Sequence, residues 1–442
     1  MTDNFGITLN EFVSYLFSNL DKHSIPYVVM RNYKTLPYSI DSEDIDILVL
    51  KKDLESITKI LLDHKKIMII DKIKRASVLN FFIYGIQVND SKNALQVDFN
   101  YNCPWKGFEY LLPSEILDRR KIFKTPDLEI SIPDEIDETV LSIFTHYIIS
   151  NTIREKYLIN ASLIFKNNFS ETKKRLTKYC GTHYSGIIIN NIINNELDSL
   201  LLIRKEVCFN ILKHNLIKHP LKSLYKNVRH FYIELSLMYF KKHLFTIAIL
   251  GPDGAGKSTI IDNLLKKISG IKKTITLQHL KPVYLNKGNV KKRGVVTDPH
   301  AKKPRNSIAS FIKLIVWACE SWFYYLFTKR KNSTLEIFDR YFDDILVDPK
   351  RYRCSTNLKL VKLISKLIPR PNLFFVLVAN PETIQKRKQE VPFEETESQV
   401  HKYTQFSHDQ KNSILINTDK DIKQNTNEIL SHLVTNMHKK NQ

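Results

Sequence analysis

The chain has 442 residues, 43% of them hydrophobic and 26% charged, and carries a formal net charge of +21. That length predicts two or three domains, and the composition excludes a wholly disordered chain. The positive excess favours anionic partners such as nucleotides, phosphorylated glycans, nucleic acid or acidic lipid, although a Lys-, Asn- and Ile-rich drift from codon bias accounts for part of it. Five cysteines, Cys103, Cys180, Cys208, Cys319 and Cys354, are far apart, odd in number and without a Cys-x-x-Cys pair. This argues against a disulfide framework or a zinc site. The start Met1-Thr2-Asp3-Asn4-Phe5 lacks the features of a secretory signal, so a cytoplasmic location is expected.

In chain order, Phe12, Leu16 and Leu20 recur at helical spacing between Asn10 and Lys22, and Ser24-Ile25-Pro26 ends that helix. Tyr27 to Met30 and Ile45 to Leu50 read as strands, Leu54 to His64 as a helix, and Ala94 to Phe99 as a half-buried strand. These elements make an α+β module over residues 1–133. Asp44-Ile45-Asp46 opens a strand with both carboxylates on one face, and Asp98 on a later strand can join them. Three converging carboxylates suit divalent metal held against a nucleoside triphosphate. With Tyr27-Val28-Val29-Met30-Arg31 ahead of it, the pattern resembles the polymerase-beta-type nucleotidyltransferase superfamily over residues 10–130. The usual Gly-Ser or Gly-Gly before the paired acids is replaced by Asp41-Ser42-Glu43. The resemblance implies nucleotidyl transfer at Asp44, Asp46 and Asp98, or a scaffold whose acids cap the sheet edge.

Residues 134–243 read as a helical connector, because between Glu135 and Lys242 only Gly181, Gly186 and Pro220 interrupt the pattern. The β-branched run Ile187 to Ile193 is left open between helix and strand. From Arg204 to Lys242, Lys205, Lys213, Lys218, Lys222, Lys226 and Arg229 mix with Phe209, Leu212, Leu221, Leu224, Tyr225, Phe231 and Tyr232. Such a segment lies on an anionic membrane or shows a solvated charged face on packed helices.

Residues 244–442 alternate strands and helices as a parallel sheet requires, with strands expected at Leu244–Leu250, Thr274–Leu280, Thr334–Phe338, Leu373–Ala379 and Ser413–Asn417. Ser307 to Phe327 is apolar, but Lys313 and Glu320 interrupt it, so a buried helix is expected rather than a membrane span. Between the first strand and the next helix stands Gly251-Pro252-Asp253-Gly254-Ala255-Gly256-Lys257-Ser258-Thr259, the Gly-x4-Gly-Lys-Ser phosphate cradle. Backbone N–H groups there converge on phosphate, Lys257 neutralises β and γ oxygens, and Ser258 suits Mg²⁺. Asp339-Arg340-Tyr341 follows another strand, where Asp339 can hold Mg²⁺ and Arg340 can brace the acceptor or the migrating phosphoryl group.

These motifs resemble the thymidylate kinase-like group of P-loop kinases over Phe245 to Leu433. The resemblance implies ATP and Mg²⁺, an acceptor near Asp253, and a basic lid, for which Arg387 and Lys388 are the candidates and Lys386 a third. The acceptor-gripping Arg-Glu-Pro-Gly segment is replaced by Gln278-His279-Leu280-Lys281-Pro282, followed by a basic loop from Lys287 to Arg305. The segment Asp343 to Arg353 looks like a branch associated with bacterial surface-polysaccharide synthesis, with Asp343, Asp348, Arg351 and Arg353 as acceptor-pocket residues or as a capped, charged turn. The expected function is ATP-dependent phosphotransfer to a nucleotide or a glycan- or lipid-linked sugar. A bifunctional kinase/nucleotidyltransferase and a non-catalytic nucleotide-sensing module, with membrane or nucleic acid as partner, are the alternatives.

Overall fold

The computed structural model describes residues 6–89, 92–153, 157–239, 244–268, 274–279, 306–327, 334–389 and 391–441. The chain forms two compact units, one running to Ser236 and including Asn441, the other from Leu237 to Lys440.

In the first unit, β1 (Ile7–Thr8) leads into α1 (Leu9–Lys22), whose start is fixed by a capping box between Thr8 and Glu11. There follow β2 (Tyr27–Val29), β3 (Asp44–Val49), α2 (Leu54–Asp63), β4 (Met68–Lys74), β5 (Val78–Asn89) and β6 (Lys92–Asn100). These strands form one sheet in the order β1-β5-β6-β3-β2, with β4 paired to β5. The pairs β3/β6 and β1/β5 are parallel, and the others antiparallel. Strand alternation divides the apolar side chains between two cores. Tyr27, Val29, Ile45, Ile47, Val97 and Phe99 pack with α1 and α2 on one face. Val28 and Leu48 point to the other.

That second face is covered by later elements, the hairpin β7 (Cys103–Trp105) and β8 (Phe108–Leu111) and then α3 (Pro113–Asp118), whereas the pair β9 (Lys121–Lys124) and β10 (Glu129–Ile132) sends Phe123 and Ile130 to the first core. Next come α4 (Glu135–Ser150), α5 (Leu158–Asn167), α6 (Phe169–Ile193), α7 (Leu197–Leu202), α8 (Arg204–Lys218) and α9 (Pro220–Tyr239). Phe144, Tyr147, Phe165, Leu176 and Ile211 share a core with Val28 and Leu48. Sheet and helical layer are therefore one body. The run Ile187 to Ile193 is helical, its Ile188, Ile189 and Ile192 buried at helical spacing, and Gly181 breaks the helix geometry upstream at φ 79°.

In the second unit, β11 (Leu244–Leu250), α10 (Lys257–Ile268), β12 (Thr274–His279), α11 (Ser307–Phe327), β13 (Thr334–Asp339), α12 (Asp344–Val347), α13 (Leu358–Leu367), β14 (Leu373–Val378), α14 (Pro381–Arg387), α15 (Phe393–Asp409), β15 (Ser413–Asn417) and α16 (Ile422–Asn441) succeed one another. Their strands form an all-parallel sheet in the order β12-β13-β11-β14-β15. Every residue of β14 is buried, as a strand covered on both faces demands. Leu280, Lys281, Pro282 and the basic loop from Lys287 to Arg305 lie outside the described residues.

The segment Ser307–Phe327 corrects one expectation. It is a helix, but only Ser310, Leu314, Trp317 and Tyr324 are buried, while Ile308, Ile312 and Phe327 are 73%, 57% and 57% exposed. Its inner stripe packs on Phe342 and Tyr352, and Lys313 turns back over the Trp317 ring at 4.5 Å. A helix laid against one side of a sheet buries one stripe and leaves the others open. Among the described residues no helix is long and apolar enough to cross a membrane.

Candidate phosphate and metal sites

The P-loop leaves the central strand β11 at Gly251, whose φ is 145°. A Cβ on Gly251 would stand 2.3 Å from the Leu377 carbonyl oxygen of β14, so only glycine permits this approach of loop to sheet. Lys257, the first residue of α10, donates from Nζ to the carbonyl oxygens of Gly251 at 2.9 Å and Pro252 at 2.7 Å. Its ammonium lies 3.6 Å from Asp253 and is 8% exposed. Burial, aided by the Arg340 charge, pushes Lys257 down to about 7. Ser258 and Thr259 stand exposed in the same helical turn.

The ends of β13 and β12 bring the remaining chemistry to the same edge. Asp339 accepts from His279 Nδ1 at 3.0 Å, its neighbour across the parallel register. Burial opposes the Asp339 charge, but the His279 hydrogen bond and the charges of Lys257 and Arg340 hold the carboxyl below its ordinary value. Its other oxygen, Oδ1, is buried with no hydrogen-bond partner among the described residues. A buried anionic oxygen without a donor fits a divalent cation, so Asp339 and Ser258 are the residues that would hold Mg²⁺ here.

Arg340 adopts φ 71°, a left-handed conformation uncommon for a non-glycine residue. Its side chain is 3% exposed and lies between two carboxylates: Nη2 donates to Asp253, and Nη1 donates to Asp344 at 2.6 Å. Asp344 also accepts from Tyr352 at 2.5 Å and Tyr403 at 2.6 Å. Burial works against the guanidinium's charge, yet Asp344, Tyr403, Tyr352 and Asp253 hold it well above its usual range. Arg351 donates to the other oxygen of Asp253, so two guanidinium groups converge on one P-loop carboxylate. Asp344, Tyr352 and Tyr403 are absent from the sequence-derived set. Asp344 had a readable signal, four residues after Arg340 and entering a helix. Tyr403, on α15, had none.

The other candidates are placed less centrally. A Cβ on Gly254 would lie 3.1 Å from Ile384 and 3.4 Å from the Lys388 Cβ, so Lys388 flanks the P-loop. Arg387 instead donates to the Thr418 carbonyl at 3.0 Å. Asp343 takes Arg370 at 2.8 Å, and Asp348 takes Gln399 at 3.1 Å and the Arg351 amide at 3.1 Å, so Asp348 braces the turn that carries Arg351.

In the first unit, Asp44 and Asp46 on β3 and Asp98 on β6 share the face covered by the helices, with Asp46 opposite Asp98 in register. One oxygen from each lies within 4.8 Å of the others. Arg31 pairs with Asp46 at 2.6 Å, and Gln96 donates to both oxygens of Asp98 at 2.8 and 2.9 Å. Burial, against hydrogen bonds from Asn80 and Gln96 and with repulsion from Asp46 and Asp44, pushes Asp98 up to about 6. A cation would relieve that repulsion, so the three carboxylates fit one. Because the folded value is raised, Asp98 contributes stability at low pH that is lost as pH rises through about 6. At pH 7, Mg²⁺ or Mn²⁺ is expected to raise the melting temperature of the wild type, and Asp98→Asn to raise it without metal while reducing the metal response. Equal metal responses in a thermal scan would remove the cation site.

No family model and no curated protein matches the chain. Among solved structures, a thymidylate kinase from Candida albicans is 18% identical with a TM-score of 0.30, covering 44% of this chain and 92% of its own. A deoxyadenosine kinase from M. mycoides is 16% identical at 0.30, covering 43% and 99%. A thymidylate kinase from Ehrlichia chaffeensis is 15% identical at 0.28, covering 43% and 98%. With identities and scores this low, the reading of the site rests on the chain's own geometry.

Proposed function

We propose that the second unit is a cytoplasmic ATP-dependent phosphotransferase of the thymidylate kinase-like group, acting on a nucleotide or a glycan- or lipid-linked sugar. The observation that supports it is the convergence of Lys257, Asp253, Asp339, Arg340 and Arg351 on a P-loop at the carboxyl edge of a parallel sheet. The acceptor oxygen, an oxyanion in a nucleotide's phosphate or a sugar hydroxyl that gives its proton to water, forms a bond to the γ-phosphorus as the bond to the β,γ-bridging oxygen breaks and ADP departs. Lys257 exchanges its two carbonyl partners for β and γ oxygens, the P-loop amides cradle the phosphates, and Arg340 steadies charge on the transferred group. Bound Mg²⁺ would neutralise the β and γ oxygens.

A second reading is supported by the Asp44, Asp46 and Asp98 cluster: metal-dependent nucleotidyl transfer in the first unit. Parallel incubations with γ- and α-labelled ATP, offered nucleotides and an extract holding glycans and lipids, separate the two. Label moving from the γ position alone supports phosphotransfer, and label from the α position supports nucleotidyl transfer. Nucleotide binding that depends on Lys257 without transfer of either label would make the P-loop a sensor and overturn both.

Peripheral contact with an anionic membrane has its own support in α9. This helix turns Ser223, Asn227 and His230 inward and leaves Leu221, Tyr225, Val228, Tyr232 and Leu235 between 53% and 82% exposed. The stripe follows helical spacing, with Lys222 beside it. Sedimentation with acidic vesicles at physiological salt should retain the wild type and release a Tyr225→Ser, Tyr232→Ser variant. Absence of wild-type binding would remove the membrane contact.

A further inference from the structure

Roughly 20 Å along β3 from Asp44, judged by six residues of strand rise, lies a cavity that neither reading uses. It has a volume of about 280 Å³. Its floor comes from Lys51 and Tyr101, which follow β3 and β6, and its wall from the β7–β8 hairpin and α9.

The helix is fixed against that hairpin by polar contacts. Asn227 donates to the Lys106 carbonyl at 2.7 Å, and Lys226 pairs with Glu109 at 2.7 Å. Gly107, with φ 92°, sits so close that a Cβ there would lie 2.7 Å from the Asn227 Cα. This docking presents Lys226, Arg229 and His230 to the cavity.

Among the lining residues, Lys51, Lys226 and Arg229 face the single carboxylate Glu109, which leaves two positive charges uncompensated. Neither Lys51 nor Arg229 has an ion-pair partner among the described residues, and the His230 Nδ1 is buried without a hydrogen-bond partner. Burial, followed by repulsion from Arg229, Lys74 and Lys226, pushes the Lys51 ammonium below its ordinary value. Cations gathered in a concave site without counter-charge are the arrangement an anion completes.

We propose that this cavity binds a small phosphomonoester, with Lys51 and Arg229 on its phosphate oxygens. The two spare charges match the charge of about −1.5 to −2 on a phosphate monoester at pH 7, whereas a carboxylate would leave one cation unanswered. Leu50, Tyr101, Pro104 and Pro113 supply an apolar wall for the body of the ligand. The volume suits a phosphorylated sugar or nucleoside and is too small for a dinucleotide. This site is independent of phosphotransfer in the second unit.

The test is calorimetric titration of the full chain with glucose 6-phosphate, inorganic phosphate and glucose, in a Lys257→Met background so that the P-loop does not contribute. Binding of glucose 6-phosphate, none of glucose, and a loss of about tenfold or more in affinity on Arg229→Gln or Lys51→Gln are expected, as for removal of a charged hydrogen-bond partner. Lys205→Gln, outside the cavity, should leave the affinity unchanged, and Arg229→Lys should recover part of it. Binding of phosphate but not its ester, or affinity indifferent to Arg229 and Lys51, would overturn the proposal. So would Arg229-dependent binding to phosphatidic acid vesicles without binding of the soluble ester, which would assign the cavity to a lipid headgroup.

Discussion

Replacing Lys257 with Met is expected to lower transfer of γ-label by about 10²- to 10³-fold or more, the range for removing one preorganised donor from developing charge. The same change should leave the fold intact and, near neutral pH, improve its stability. Lys257 is buried and its folded value is depressed to about 7, so charging it costs the folded state. Between about pH 7 and pH 10.5 the unfolded chain holds more protons at this residue than the folded chain, and wild-type stability therefore rises with pH through that window. At pH 6 the Met variant lacks the full penalty and should melt above the wild type. Label transfer and thermal scans at pH 6, 7, 8 and 9 check both halves. Retained transfer removes Lys257 from the chemistry, while lost transfer with a collapsed melting temperature makes its role structural.

The second large effect belongs to Asp344. It is fully buried, and its removal strands the Arg340 guanidinium, itself 3% exposed, without its inner partner. Breaking a buried pair from one side costs about 3–5 kcal/mol, chiefly because the remaining charge stays desolvated. For a unit of this size that lowers the melting temperature of Asp344→Ala by roughly 6–20 °C. Tyr403→Phe removes one hydrogen bond to a charged group and should cost only about 1.5–3 kcal/mol. The transition of the second unit, followed by calorimetry, is the measurement. A shift for Asp344→Ala no larger than for Tyr403→Phe would mean that Asp253 alone satisfies Arg340.

The chemistry that short spacing encodes was legible from the residues. A strand followed by Gly-x4-Gly-Lys-Ser, and another followed by Asp339-Arg340, fixed which residues meet at the sheet edge. The two-residue period of a strand put Asp44 and Asp46 on one face. Partnerships across long loops were not legible: Arg351 reaches Asp253 over 98 residues and Tyr403 reaches Asp344 over 59, and no local preference announces either. Amphipathic pattern supplied the axis of a helix but not its polarity. In α9 the polar side faces the hairpin because Lys226 and Asn227 find partners there, which leaves the apolar side out. The exposed flanks of α11 escaped for the same reason, since apolar content alone does not say how many sides a neighbour covers.

The left-handed backbone at Arg340 sets evolution two opposed tasks at one position. An arginine there gives up about 1–2 kcal/mol against glycine in backbone conformation, while its guanidinium ties the P-loop carboxylate to the interior. Removing it would strand the fully buried Asp344 at a cost of about 3–5 kcal/mol, more than the backbone would recover, so libraries selected for heat tolerance alone should keep arginine at 340 as firmly as those selected for turnover. Glycine should become acceptable there only where position 344 has also lost its carboxylate, so a library varying both positions would expose the backbone cost that the ion pair hides.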